Sequence, residues 1–204
     1  MKINIDKIVV GIDIDDTITN SSDVFIKYAR EYNLKNNIDF RINTNKINQS
    51  EAFGWDEYDQ KRFSKEYLKK ILIEAQPKEN SIKIINKLKK EGYKIYLVTS
   101  RCEDELKDMY NITKMWLLNN KVNYDKLIIN SFNKDEDCLK YNVTIFIDDN
   151  YENCEKVYNN VTKNVFLYNS NYNSNYENHN FARVFNWNDI YIKIKNLEVQ
   201  NEKN

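Results

Sequence analysis

Asp13 and Asp15 stand two residues apart at the end of a short apolar run, Ile8-Val-Val-Gly-Ile12. In extended chain residues i and i+2 point the same way, so both carboxylates leave the strand end together while Ile14 turns back toward the core. Two carboxylates there are costly unless a cation sits between them. An acidic pair alone reads most simply as a surface turn. After a buried-looking strand it falls where open α/β sheets collect ligands. Three more pieces follow: Thr99-Ser100-Arg101 after Tyr93–Val98, Lys134 opening a helical stretch, and Asp148-Asp149 after Val143–Ile147. The C-terminal ends of parallel strands share one edge, so Asp13, Asp15, Thr99 and Asp148 can converge. Three or four carboxylates in a small cleft require a divalent cation, and all-oxygen ligation with waters suits Mg²⁺. Lys134 adds a point charge able to hold a phosphoryl oxygen.

The elements that must position these residues alternate. Short apolar runs at 9–12, 93–98, 127–129, 143–147 and 164–168 read as buried strands, and the segments between them read largely as helices. That order gives an α/β fold, a doubly wound parallel sheet of Rossmann type. After the first strand the pattern changes. A helix is expected over 23–32 with Phe25, Tyr28, Ala29 and Tyr32 on one face, then an irregular polar stretch, then a helix over 56–76 ended by Pro77. Residues 20–78 therefore read as a small helical cap insertion, and 1–19 with 79–204 as the core domain. A helix over 81–91 should turn Ile82, Ile85 and Leu88 inward, and another should run from about Glu103 to Asn119. Residues 169–180 form a low-complexity Asn/Tyr/Ser loop, before a last segment, 181–187, and an amphipathic helix over 189–197.

Composition excludes several chemistries. The 31 basic residues balance 31 acidic ones, so no global field draws nucleic acid or an anionic membrane surface. Three glycines, at 11, 54 and 92, can write neither a P-loop nor a dinucleotide-binding fingerprint. Ile18 and Val24 stand where an EF-hand starting at Asp13 needs Gly and Glu. One histidine, His179, cannot build a multi-histidine metal site or triad and reads as a bystander. Cys102, Cys138 and Cys154 are isolated, which points to a reduced, cytoplasmic protein without a zinc site. The opening residues, Met1 to Lys7, alternate in charge and do not read as a signal peptide, and no apolar run approaches the roughly 18 residues that cross a bilayer.

A hydrophobic strand ending in Asp-x-Asp-x-Thr (Asp13, Asp15, Thr17), then a strand ending in Thr99, a Lys, and a strand ending in Asp148-Asp149, resembles the four ordered motifs of the haloacid dehalogenase superfamily. With Thr-Ser-Arg (99–101) and Thr-Lys-x-Trp-Leu (113–117), the chain resembles the 5'(3')-deoxyribonucleotidase family from Ile8 to about Tyr191. The resemblance implies a nucleophile at Asp13, a general acid and base at Asp15, and Mg²⁺ held by Asp13, the Asp15 backbone carbonyl and Asp148. It implies phosphoryl contacts from Thr99 and Lys134, with Lys140 as the competing lysine, and aromatic residues of the insertion, Phe53, Trp55 and Tyr58, stacked on a base. Against that, aromatics at such spacing more often form a lid's own core. Ser100 and Arg101 are candidate phosphate or substrate contacts, and Asp149 either supports Asp148 or faces solvent. Vertebrate members carry Pro where this chain has Arg101.

The reading that results is a Mg²⁺-dependent phosphomonoesterase for small phosphate monoesters, nucleoside monophosphates first among them, with a homodimer expected from the family and no nucleic-acid or membrane partner. A phosphatase for a sugar phosphate, a phosphotransferase, and a non-catalytic cation- or partner-binding protein of the same fold stay open.

Overall fold

The structure, a computed structural model, describes residues 8–39, 42–43, 52–177 and 180–202. Met1 to Lys7 and His179 lie outside them. Six parallel strands form one sheet in the order β3-β2-β1-β4-β5-β6. They are β1 (Val9–Ile12), β2 (Lys94–Val98), β3 (Lys126–Ile128), β4 (Ile145–Asp148), β5 (Val165–Tyr168) and β6 (Ala182–Val184). The helices are α1 (Ser21–Lys35), α2 (Glu57–Glu74), α3 (Ser81–Lys90), α4 (Met109–Asn119), α5 (Lys134–Lys140), α6 (Tyr151–Asn160) and α7 (Trp187–Glu202).

The continuous apolar runs are explained by burial on both faces. On one side Val10, Ile12, Ile95, Leu97 and Ile147 meet Ile85, Leu88, Trp187 and Ile190; on the other Val9, Phe146, Val165 and Leu167 meet Cys138, Cys154 and Val157. Each such aliphatic side chain contributes about 1.5–3 kcal/mol relative to exposure. Gly11 sits where any Cβ would lie 2.9 Å from Val143 Cγ1 and 3.3 Å from Phe146 Cδ2, so its lack of a side chain permits the strand packing.

Four local expectations are corrected. Ile84 joins Ile85 and Leu88 as a fully buried face of α3, while Ile82, expected inward, is half-buried against the same core. The helix expected from Glu103 begins only at Met109, since Asp108 takes a left-handed conformation (φ 65°) that no helix continues through. The last segment contains a sixth parallel strand, whose three residues pair with Phe166–Tyr168. Helix α6, capped by the Asn150 side chain accepting from Asn153 N, fills the stretch between β4 and β5, in which no particular helix is expected from the sequence.

The α1–α2 segment packs largely on itself. Tyr28, Tyr32, Phe53, Trp55, Phe63 and Tyr67 form one aromatic cluster between α1 and α2. A smaller cluster, Leu72 with Met109 and Ile112, joins it to α4, and Trp116 Nε1 donates to Ala75 O at 2.8 Å. The chain leaves and re-enters the sheet side by side. Thr19 and Pro77 form an antiparallel bridge, Asn20 N donates to Gln76 O (3.0 Å) and Lys78 N to Ile18 O (2.7 Å).

Candidate active site

After β1 the chain builds β2 and β3 on one side of it, then β4, β5 and β6 on the other, so the β1/β4 boundary is the switch point of the sheet. Ligand crevices of open α/β sheets lie at the carboxyl ends of such strands. Ile12 pairs with Ile147, and Asp13 N donates to Ile147 O at 2.9 Å, which sets Asp13 beside Asp148.

Lys134 supplies the buried cation there. Its Nζ donates to Asp13 Oδ1 at 2.5 Å and Asp148 Oδ2 at 2.7 Å, and the lysine is 3% exposed. The competing Lys140 is exposed and lies over the Tyr141 ring. Asp148 is further fixed by Asn150 N (2.7 Å) and Asn153 Nδ2 (3.2 Å), donors brought by the first turn of α6. Asp149 is also buried. Its Oδ1 accepts from Thr17 Oγ1 at 2.9 Å, while its Oδ2 has no partner. Ligand oxygens of Asp13, Asp148 and Asp149 lie within 4.8 Å of one another.

Three clustered carboxylates against one ammonium leave a deficit of positive charge. Burial raises Asp13, Lys134 lowers it, Asp148 and Asp15 raise it again, and the result is about 7. Burial, with Asp13 and Asp148, holds Asp149 well above the ordinary carboxylate range. Lys134 is raised: burial opposes its charge, and Asp13 and Asp148 outweigh burial.

Asp15 has its own partner. Arg101 grips it with Nε to Oδ2 and Nη2 to Oδ1, both at 2.7 Å, and Nη1 reaches Thr113 Oγ1 at 3.2 Å. Burial raises Asp15, but the Arg101 charge and hydrogen bonds outweigh it and leave the group lowered. Thr99, buried, accepts from Arg101 N at 3.3 Å. Ser100 and Arg101 line a cavity of about 610 Å³ between the sheet edge and the α1–α2 segment.

The candidate aromatics separate. Phe53 lines that cavity, stacked on Trp55 at 4.9 Å. Trp55 itself does not face the cavity, which corrects its expected place beside a substrate: it is 2% exposed, and its Nε1 donates to Asn33 Oδ1 at 2.6 Å inside the cluster. It is one of the buried rings from which the helical pair builds its core. Tyr58 is exposed, with Arg62 over its ring, and lies apart from the cavity lining. Sequence reasoning did not reach Asp149 as a third member of the acid cluster, although the doubled Asp148-Asp149 and Thr17, the fifth position of Asp-x-Asp-x-Thr, were its signal. It missed Phe132, 60% exposed on the cavity wall, and Lys78 at the crossing between the two regions.

No family model matches the chain. A nucleotidase of Clostridium acetobutylicum is 28% identical over 195 residues, covering 95% of this chain and 96% of that protein. Among solved structures, a haloacid dehalogenase-like hydrolase from Streptococcus pneumoniae superposes with a TM-score of 0.64 at 11% identity, covering 95% of this chain and 98% of that one. A predicted phosphoglycolate phosphatase from Haemophilus somnus gives 0.64 at 14%, covering 93% and 98%, and a predicted phosphatase from C. acetobutylicum gives 0.59 at 13%, covering 97% and 99%. The chain has the fold of the haloacid dehalogenase hydrolases.

Proposed function

We propose that the protein is a Mg²⁺-dependent phosphomonoesterase that works through an aspartyl-phosphate, with nucleoside monophosphates as substrates. The observation that carries this reading is the buried lysine shared between Asp13 and Asp148 beside Asp149, whose Oδ2 is unpartnered. A bare cation site has no use for Lys134 or for a strand-end Thr99; a site for a phosphoryl group uses both.

A hard divalent cation fits this donor set, since a buried carboxylate oxygen without a partner and a local excess of negative charge both favour one. Asp13, Asp148 and the backbone carbonyl of Asp15 would hold it, with Asp149 beside them. When bound, Mg²⁺ would neutralise charge on the phosphoryl oxygens. A carboxylate oxygen of Asp13 attacks phosphorus as the ester P–O bond breaks; Asp15 gives a proton to the leaving alkoxide only once the Arg101 grip that keeps its carboxyl low and ionised has opened. Asp15 then takes a proton from water. The resulting hydroxide attacks phosphorus, the bond to Asp13 breaks, and phosphate is released. Thr99 and Lys134 hold the phosphoryl oxygens throughout.

In this reading residues 20–78 form the cap, which closes the cleft against water. The nucleotide preference is supported by the likeness to a nucleotidase along nearly the whole chain. Three buried, unpaired cysteines support action in the cytoplasm, and the family resemblance supports a homodimer. Among the described residues no helix is long and apolar enough to cross a membrane.

The test is phosphate release from a panel of deoxy- and ribonucleoside monophosphates and sugar phosphates, with Mg²⁺ or with EDTA. Mg²⁺-dependent release from the nucleotides, abolished in a folded Asp13→Asn variant, is expected. Release that survives Asp13→Asn removes the assignment; release from sugar phosphates alone keeps the chemistry and changes the substrate.

A further inference from the structure

The loop after β5, low in complexity as sequence, is held by one of the densest polar networks among the described residues. Asn173 is fully buried, and each hydrogen-bonding position of its amide is used. Its Nδ2 donates to Asp149 O (2.7 Å) and Tyr168 O (2.8 Å), and its Oδ1 accepts from Ser170 N (3.1 Å) and Arg183 Nη1 (2.6 Å). Arg183, on β6, also reaches Asn169 Oδ1 (3.0 Å), Asn173 O (3.0 Å) and Tyr176 O (2.9 Å). A guanidinium engaging four acceptors in one loop, beside a fully satisfied buried amide, fixes backbone position.

What this network positions faces the cleft. Residues Asn169 to Tyr172 line the same cavity as Asp15 and Arg101, and Asn173 ties them to the backbone of Asp149. The rest of the wall is mixed: Phe25, Phe53, Leu72 and Met109 are apolar, and Asp16, Asp23, Lys78 and Glu105 are charged. Within that wall, the apolar residues facing a row of neutral amide, hydroxyl and phenol groups suit the uncharged part of a ligand that hydrogen-bonds along one edge.

We propose that Asn171 and Tyr172 are specificity-determining residues that read the hydrogen-bonding edge of the substrate's uncharged, non-phosphate body, and that Asn173 and Arg183 are positioning residues that hold them against the acid centre. The proposal rests on the phosphomonoesterase reading and deepens it.

The experiment compares kcat/KM for thymidine monophosphate with kcat/KM for 4-nitrophenyl phosphate, whose body offers little such edge, in wild type, Asn171→Ala/Tyr172→Phe and Arg183→Ala. Losing two neutral hydrogen bonds should lower that ratio about tenfold in the double variant. Arg183→Ala should lower it too, through KM for thymidine monophosphate, whereas simple destabilisation would scale both substrates together. An unchanged ratio in the double variant overturns the proposal, and that variant keeps the test decisive if Arg183→Ala fails to fold. If wild type hydrolyses neither ester, the phosphatase reading fails separately. Calorimetric binding of thymidine monophosphate then decides: weaker binding in the double variant sustains the wall, and equal binding or none overturns it.

Discussion

The sheet edge and the α1–α2 segment bury their largest investments in opposite currencies. At the edge, Asp13, Lys134 and Asp148 are buried ionisable groups held by one another and by a backbone donor, with Asp149 buried beside them on the Thr17 hydroxyl. In the insertion, Phe63 lies within 4.8 Å of Phe25 and 4.5 Å of Trp55, and the polar atoms there serve the rings, as Tyr32 Oη does in donating to Asp59. Apolar packing tolerates small shifts at modest cost, whereas a buried charge whose partner moves is left uncompensated. The sheet edge is therefore the rigid region and the α1–α2 segment the adaptable one, which is the division that the proposed function requires of a reacting centre and its cap.

The sharpest way to break this contrast is Lys134→Met. It leaves the buried carboxylates without their ammonium and should cost about 3–5 kcal/mol of stability in Mg²⁺-free buffer, read by denaturant unfolding. Added Mg²⁺ should restore part of the loss, while phosphate release stays abolished. Next comes Phe63→Ala, which removes the ring at the centre of the aromatic cluster and should cost about 3–5 kcal/mol, confined to the insertion. Hydrogen exchange should then speed in α1 and α2 and stay slow in β1 and β4. Strands that open together with the helices would mean that the two regions are one cooperative unit and the contrast is false. The smallest effect is expected for Lys61→Ala. Its pair with Glu57 is exposed on both sides, and the denaturation midpoint should not move measurably.

Much of the edge was legible in the sequence because it is written locally. A short apolar run ending in Asp or Thr announces both a buried strand and the residue that stops it, so Asp13, Thr99 and Asp148 could be placed from their neighbours alone. Lys134 was legible as the opening residue of a helix. What was not legible depends on distant partners. Nothing near Arg101 shows that it will grip Asp15, 86 positions away, and nothing near Trp55 shows that Asn33 will take its indole N–H. The start of α4 was misread because a single left-handed residue, Asp108, breaks an otherwise helical pattern. The sixth strand is only three residues long and includes an arginine, so it has no periodicity to read. The Asn/Tyr/Ser loop looked featureless because its order comes from Arg183 and Asp149, both outside it.

The paired crossings at Thr19 and Pro77 have a consequence for how such a chain can change over generations. Whatever lies between them begins and ends at one hydrogen-bonded point, so the sheet experiences it only as a closed loop. Closing a loop of twice the length costs only about 0.6 kcal/mol more. The contents of residues 20–71 can thus be lengthened, shortened or exchanged while β1 still meets β2 and β4 in the same register, provided that the Leu72 and Ala75 contacts with α4 are kept. Selection can retailor the cover while the hearth beneath it stays lit.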